Sequence, residues 1–283
     1  MTPKPHPQTT PAATVERILA LALEHPEWGC VRVADALGGT GVSSPTVQKI
    51  LIKAGLGQKP ERLARLEQLH FAEGRALGAE IVTQIERANP RFRERAAAPA
   101  APGALVAQGS FAAGTFAGLG KIHVHAAVDT YSGFAFAYVH PGTSPAAHVS
   151  LLHADMLPFL TQRRFKLLTV ATEQGWDFER HPYPQYLRMR GIAHQLTPGR
   201  GMAGHGFLEA FHRTYNEGFL AAAFPVGGGG PASRDAMQRA LDAWLYQLNQ
   251  TPLPGYPTLG ASPAARLEAA VRAAWEAAPL GRG

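Results

Sequence analysis

The stretch LVAQGSFAAGTFAGLGKIHVHAAVDTYSGFAFAYV, residues 105–139, decides the fold. Small and apolar residues alternate along Leu105–Phe116, Ile122–Asp129 and Phe134–Val139, the two-residue period of strands with one buried face. The glycine-rich segment Gly118–Gly120 and the turn Tyr131-Ser132-Gly133 separate the runs, so consecutive strands are joined by hairpins. Downstream the pattern changes to a helix over Ala146–Leu160, a strand over Phe165–Ala171, a helix over Pro184–Arg190, a short strand at His194–Leu196 and a helix over Gly204–Ala222. Hairpin-linked strands followed by alternating helix and strand predict an α/β body, a mixed sheet with helices on its faces.

Ahead of this body, Pro90 and the Ala/Pro stretch AAAPAAPG at 96–103 read as a linker. Residues 61–88 are charge-rich and helix-prone. Further forward, Val15, Ile18, Leu19 and Ala22 share one helical stripe that must end before Pro26. A second short helix spans Val33–Leu37 and stops at Gly38-Gly39. A third starts at Ser44-Pro45, a capping hydroxyl followed by proline, and runs through Val47, Ile50 and Leu51 to Gly55. Three short helices with a glycine-bearing turn before the last describe a helix-turn-helix. Its third helix turns Thr46, Gln48, Lys49 and Lys53 outward, where a recognition helix meets the major groove. Any small three-helix unit also has a polar outer face. The expected organisation is a disordered arm at 1–12, a helix-turn-helix at 13–58 and a helical segment with linker at 59–103. The core at 104–225 and a C-terminal helix with a Pro/Gly-rich tail at 226–283 follow. A flexible break is expected at 226–230 and the last helix at Arg234–Asn249.

Composition narrows the function classes. With 283 residues, 46% of them hydrophobic and 17% charged, the chain has enough apolar side chains for a packed core. No apolar run approaches the ~20 residues of a membrane helix, and no leader pattern opens the chain. Cys30 is the single cysteine, which excludes an internal disulfide and a thiolate zinc cluster and suits a reducing cytoplasm. A net charge of +6 and a pI of about 9.7 lean toward polyanions. Ser110 lacks a Gly-x-Ser-x-Gly context, and the glycines at 118, 120, 199, 201 and 227–230 form no phosphate-cradling fingerprint. No small-molecule substrate and no membrane are therefore expected.

Several segments, in order, resemble one family. They are LALEHPEWGCVRVADAL, ANPRFRER, GLGKIHVHAAVDTYSGFAFAYV, TEQGWDF, HPYPQYLRMRGIAHQ and GFLEAFHRTYNEGF. The chain resembles bacterial insertion-sequence transposases with a retroviral-integrase-type catalytic core. The resemblance implies a helix-turn-helix that binds transposon ends and a ribonuclease-H-like core that cuts and joins DNA. It implies double-stranded DNA as partner, self-association, Mg²⁺ or Mn²⁺ as cofactor and a cytoplasmic, nucleoid-associated location. In-line attack on a phosphodiester uses two such ions about 3.5–4 Å apart, and these hard ions need oxygen ligands. The family supplies them as Asp, Asp and Glu.

This sequence departs from that set. The first position reads Gln108-Gly109-Ser110, and no Asp or Glu lies between Glu94 and Asp129. The second reads Thr172-Glu173-Gln174-Gly175, one methylene longer than the family's Asp. The third survives as Glu209, with 35 residues between Glu173 and Glu209. Glu173 and Glu209 are thus the remaining catalytic and metal-ligand positions, and a Gly, Glu, Glu set is a poor two-metal site. His205 stands for the family's Asn and Ala210 for its Arg. The stretches Thr197–Met202 and Leu248–Pro254 have lost basic and signature residues. The expectation is a DNA-binding protein of transposase ancestry with impaired catalysis. Its rivals are an active transposase with an atypical metal site and a repurposed DNA-binding regulator.

Other constellations carry less. Asp129 is expected to fix a turn, and Asp177 to reach the site only if its loop refolds. His123 and His125 share a strand face without an evident third ligand. His205 and His212 lie seven apart on the Glu209 helix, and a surface helix bearing histidines is the ordinary reading.

Overall fold

The structure, a computed structural model, describes residues 10–198, 201–224 and 230–277. The arm expected at 1–12 and the break at 226–230 fall almost wholly outside these residues. The chain forms two compact units, 1–88 and 89–283.

The first unit is all helical: α1 (Ala12–Glu24), α2 (Cys30–Ala36), α3 (Ser44–Lys53), α4 (Lys59–Glu73) and α5 (Ala79–Ala88). Ile18, Leu21, Ala22, Val33, Leu37, Val47, Leu51 and Leu56 form one core among the first three helices. The cap of α3 is Ser43 rather than Ser44, and its hydroxyl lies 3.0 Å from that of Thr46 instead of on the backbone. Pro45 in the first turn and Gly55 beyond the last, at φ +66°, set the helix limits. The unit does not stop at residue 58. Arg62 of α4 is 3% exposed and donates to the carbonyls of Leu56 (2.8 Å), Trp28 (2.6 Å) and Pro26 (3.3 Å). One guanidinium thereby joins the α1–α2 turn, the α3–α4 turn and α4, its planar fork matching three backbone oxygens.

The second unit opens with a 3-10 stretch, Pro90–Ala97, and continues as β1 (Val106–Phe116), β2 (Gly120–Asp129) and β3 (Ala135–His140). Then follow α6 (Pro145–Leu151), a π turn (Leu152–Met156), α7 (Leu157–Gln162), β4 (Thr169–Glu173), α8 (Trp176–Glu179), α9 (Tyr183–Arg190) and β5 (Ala193–Thr197). The unit ends with α10 (His205–Thr214), a π turn (Tyr215–Leu220), α11 (Ala221–Ala223), α12 (Arg234–Gln250) and α13 (Pro263–Ala277). The five strands form one mixed sheet in the order β3-β2-β1-β4-β5, with β1–β2 and β2–β3 antiparallel and β1–β4 and β4–β5 parallel. Alternate residues serve opposite faces. Val106 and Val170 pack with Leu151, Leu152, Met156, Leu160, Tyr183 and Leu187 on one side. Ala107 and Ala171 pack with Met202 and Leu208 on the other.

Three expectations are corrected. The linker stretch at 96–103 belongs to the second unit, where Phe92 just before it is fully buried and Pro102 is buried within it. The tail is not structureless, because α13 starts at Ser262, whose hydroxyl accepts from Ala265 N at 3.1 Å. Arg266 ties this helix to the β2–β3 turn by donating to Tyr131 O at 2.7 Å. The strand expected at 165–171 is displaced to Thr169–Glu173, which makes Glu173 its last residue.

A further device lies at the β3 edge, which no strand among the described residues covers. Asn249 of α12 accepts from Ala135 N (3.0 Å) and donates to Ala135 O (2.9 Å). Gln238 accepts from Val139 N (2.8 Å) and donates to Ala137 O (3.2 Å). Two side-chain amides occupy the ladder positions that another strand would take.

Candidate functional site

The three positions singled out by the sequence meet. Gly109 in β1, Glu173 at the end of β4 and Glu209 on α10 line one cleft of about 970 Å³. The topology accounts for this, because parallel strands β1 and β4 are neighbours and α10 lies on the face that Gly109 presents.

The first position holds no acid, and the end of one leucine side chain lies beside it. A Cβ on Gly109 would stand 2.9 Å from Leu208 Cδ1, inside van der Waals contact. Leu208 is half-buried and packs against the Ala107, Ala171 and Met202 cluster. The atom such a Cβ would meet is the far end of a flexible side chain, so a larger residue at 109 would displace Leu208 rather than be excluded by it.

The two remaining carboxylates face basic side chains of the chain itself. Glu173 Oε1 lies 2.9 Å from His205 Nδ1 at the start of α10. That nitrogen finds no partner with hydrogen-bond geometry, so the contact is Coulombic and depends on protonation of the ring. Glu209 Oε2 accepts from Arg93 Nη1 at 2.5 Å, and its Oε1 lies 3.5 Å from Arg213 Nη2 one turn on. Glu94 Oε1 accepts from Gly206 N in the first turn of α10, at 3.1 Å. The fit test for a divalent pair fails here. The first acid is absent, and both oxygens of the third are turned to guanidinium groups. Among the described residues no group of three or more His, Cys, Asp or Glu side chains is arranged to hold an ion.

Asp177 corrects the sequence reading. It lines the same cleft without any refolding, at 8% exposure on α8. Burial pushes its carboxyl up, but the His148 and Thr143 hydrogen bonds and nearby histidines outweigh this and hold it below the usual carboxylate range. Its Oδ2 lies 3.6 Å from His148 Nε2. His148 meets His125 in turn, Nε2 to Nδ1 at 3.1 Å, and His125 Nε2 is 3.1 Å from the Gly142 carbonyl. A carbonyl only accepts, so His125 carries its proton on Nε2 and accepts from His148 on Nδ1. Both rings are fully buried. Burial, then the neighbouring His148, lowers His125 to a pKa of about 4. His125 is thus a core hydrogen-bonding group rather than half of a His123–His125 metal pair. His205 and His212 also take separate roles, since His212 stacks on Phe111 at 4.1 Å between ring centroids.

Asp129 fixes a turn, as expected. Its oxygens accept from Gly103 N (2.8 Å), Ser132 N (2.9 Å) and Ser132 Oγ (2.5 Å), and burial pushes its pKa up against those bonds. On α3, Gln48, Lys49 and Lys53 are exposed, whereas Thr46 is half-buried beside Ser43. The same helix exposes Ile52, at 62%. Sequence reasoning missed Arg93, Arg213 and His148 as site residues. The charged run RFRER was the available signal for Arg93, and the i,i+4 spacing from Glu209 that for Arg213.

No protein-family model and no curated protein matches the chain. Solved structures do. The catalytic core domain of BIV integrase aligns at 18% identity over 61% of this chain and 99% of its own, with a TM-score of 0.44. The HTLV-2 integrase catalytic core domain in complex with magnesium aligns at 17% over 59% and 97%, TM-score 0.44. A simian T-cell lymphotropic virus intasome in complex with a PP2A regulatory subunit aligns at 13% over 88% of this chain and 74% of its own, TM-score 0.50. The intasome alignment, at a TM-score of 0.50 and 13% identity, concerns the fold alone, and with the sheet order above it leads to one conclusion: the chain carries a mixed α/β body with an integrase-like fold.

Proposed function

We propose that the chain is a DNA-integration protein of the transposase kind, of insertion-sequence ancestry, in which double-stranded DNA binding persists and strand cleavage and joining are lost. The observation that carries this reading is Gly109 at the first position, with no Asp or Glu between Glu94 and Asp129 to supply a carboxylate there. Mg²⁺ or Mn²⁺, the ions such a core would use, lack a fitting ligand set, so no chemical step is assigned. The three front helices act as a helix-turn-helix whose α3 presents Gln48, Lys49 and Lys53 to the major groove, with Thr46 at its margin. The cleft has Arg93 against Glu94, Glu173, Asp177 and Glu209 along its walls, so it disfavours phosphates and leaves DNA recognition to the front unit. Self-association and a cytoplasmic, nucleoid-associated location accompany this reading. No helix among the described residues is long and apolar enough to cross a membrane.

The test is selection of bound duplexes from a randomised pool in EDTA, followed by salt titration of the recovered sequence. Gln48→Ala should weaken binding at one base pair by ~1–3 kcal/mol, and Lys53→Ala should lower the salt slope by about one. Recovery of no duplex by the wild-type chain would overturn the reading.

A further inference from the structure

Arg93 reaches the cleft from a strap that the sequence treats as the approach to a linker. Asn89 Nδ2 donates to Tyr256 O at 2.9 Å, and Phe92 is fully buried. Arg95 donates to Phe92 O at 2.8 Å, with its guanidinium 4.2 Å from the centre of the Phe92 ring. The strap lies so close to α10 that a Cβ on Gly206 would stand 2.3 Å from the Pro90 carbonyl, so the first turn of the helix needs a residue without a side chain at that point. Glu94 then anchors the Gly206 N–H, and Arg93 extends over the next turn to Glu209. Anchored on both sides of Arg93, the strap holds a permanently charged group against one chosen carboxylate.

We infer that Arg93 is a built-in counter-ion for Glu209, standing where a fold of this kind would place a divalent cation, so that the cleft keeps its shape without metal and resists metal entry. This rests on reading the cleft as a former two-metal site. A guanidinium satisfies charge and hydrogen bonding but leaves no coordination position, and Arg213 engages the second oxygen. Glu173 is balanced in the same manner whenever His205 is protonated.

The test is thermal unfolding of the full chain in EDTA and in MnCl₂ at matched ionic strength. The wild type should show no Mn²⁺-dependent change in Tm. Gly109→Asp/Leu208→Ala, which returns a carboxylate and the room for it, should also stay insensitive while Arg93 is present. Adding Arg93→Met to that pair should make Mn²⁺ raise Tm by about 5 °C at a hundredfold excess over Kd. Arg93→Lys in the same background should restore insensitivity, which a merely steric role for Arg93 would not require. A Mn²⁺ response in the wild type that Glu209→Gln abolishes would overturn the inference. So would equal responses with and without Arg93. Duplex binding in EDTA reads the front unit separately, so loss of DNA binding and a metal response in the cleft are distinguishable failures.

Discussion

Replacing Gly109 with alanine tests the packing beside the first position. The new Cβ would meet Leu208 Cδ1 at 2.9 Å, about 0.5 Å inside ordinary contact. The obstacle is the far end of a half-buried leucine side chain that can rotate aside, so the overpacking costs no more than about 1 kcal/mol, the low end of its usual range. Removing a glycine from the unfolded chain returns roughly 0.4–1 kcal/mol. Gly109→Ala should therefore leave the stability within ~0.5 kcal/mol of the wild type. In a Leu208→Ala background the obstruction is gone and only the unfolded-chain effect remains, so the same change should stabilise by roughly 0.4–1 kcal/mol. The coupling between the two positions is thus about 1 kcal/mol at most, above the scatter of ~0.3–0.5 kcal/mol between independent sites. Urea unfolding followed by tryptophan fluorescence suits the measurement, because Trp176, Trp244 and Trp275 all lie in the second unit. Equal effects of Gly109→Ala in the two backgrounds would refute the contact between Leu208 and the first position.

Acidification should weaken the protein through its buried histidine pair. His125 is held at about 4 against an ordinary 6.5, so its contribution is complete above pH 6.5 and is lost as pH falls toward 4, in total about 3 kcal/mol. Unfolding free energy that stays flat from pH 7 to 4.5 would contradict this. Arg62→Met should destabilise the first unit by roughly 2–3 kcal/mol by removing the donor to the Pro26, Trp28 and Leu56 carbonyls, read from Trp28 fluorescence during urea unfolding. Asn249→Ala should cost about 1–3 kcal/mol and speed amide exchange at Ala135, whereas unchanged exchange there would argue against α12 as the cover of the β3 edge.

The sheet was legible because its signal is local. Alternation along 105–139 and the two turns within it specify three antiparallel strands without help from distant residues. The carboxylate count was legible too, since Gly109 and the acid-free stretch up to Asp129 need no coordinates. What lies beside the first position was not, because Leu208 meets Gly109 from 99 positions away along the chain. Composition misled in two places. Ala and Pro at 96–103 read as a spacer, although Phe92 anchors the preceding strap and Pro102 is buried. The tail's prolines and glycines drew attention from RLEAAVRAAWEA, a run of strong helix formers behind a Ser-Pro start. Asn249 shows a related limit. It stands in a stretch that has lost most of the family's signature, and nothing in the local sequence shows that it closes the sheet edge. Asp177 is expected at the site only if its loop refolds, whereas the short α8 already turns it into the cleft.

The most direct test of the central claim is plasmid cleavage. Supercoiled DNA incubated with the full chain in Mn²⁺ should remain supercoiled, at a level indistinguishable from Glu209→Gln. Nicked or joined products that form with the wild type and vanish with Glu209→Gln would show that the cleft still performs metal-dependent chemistry, and the account would be wrong.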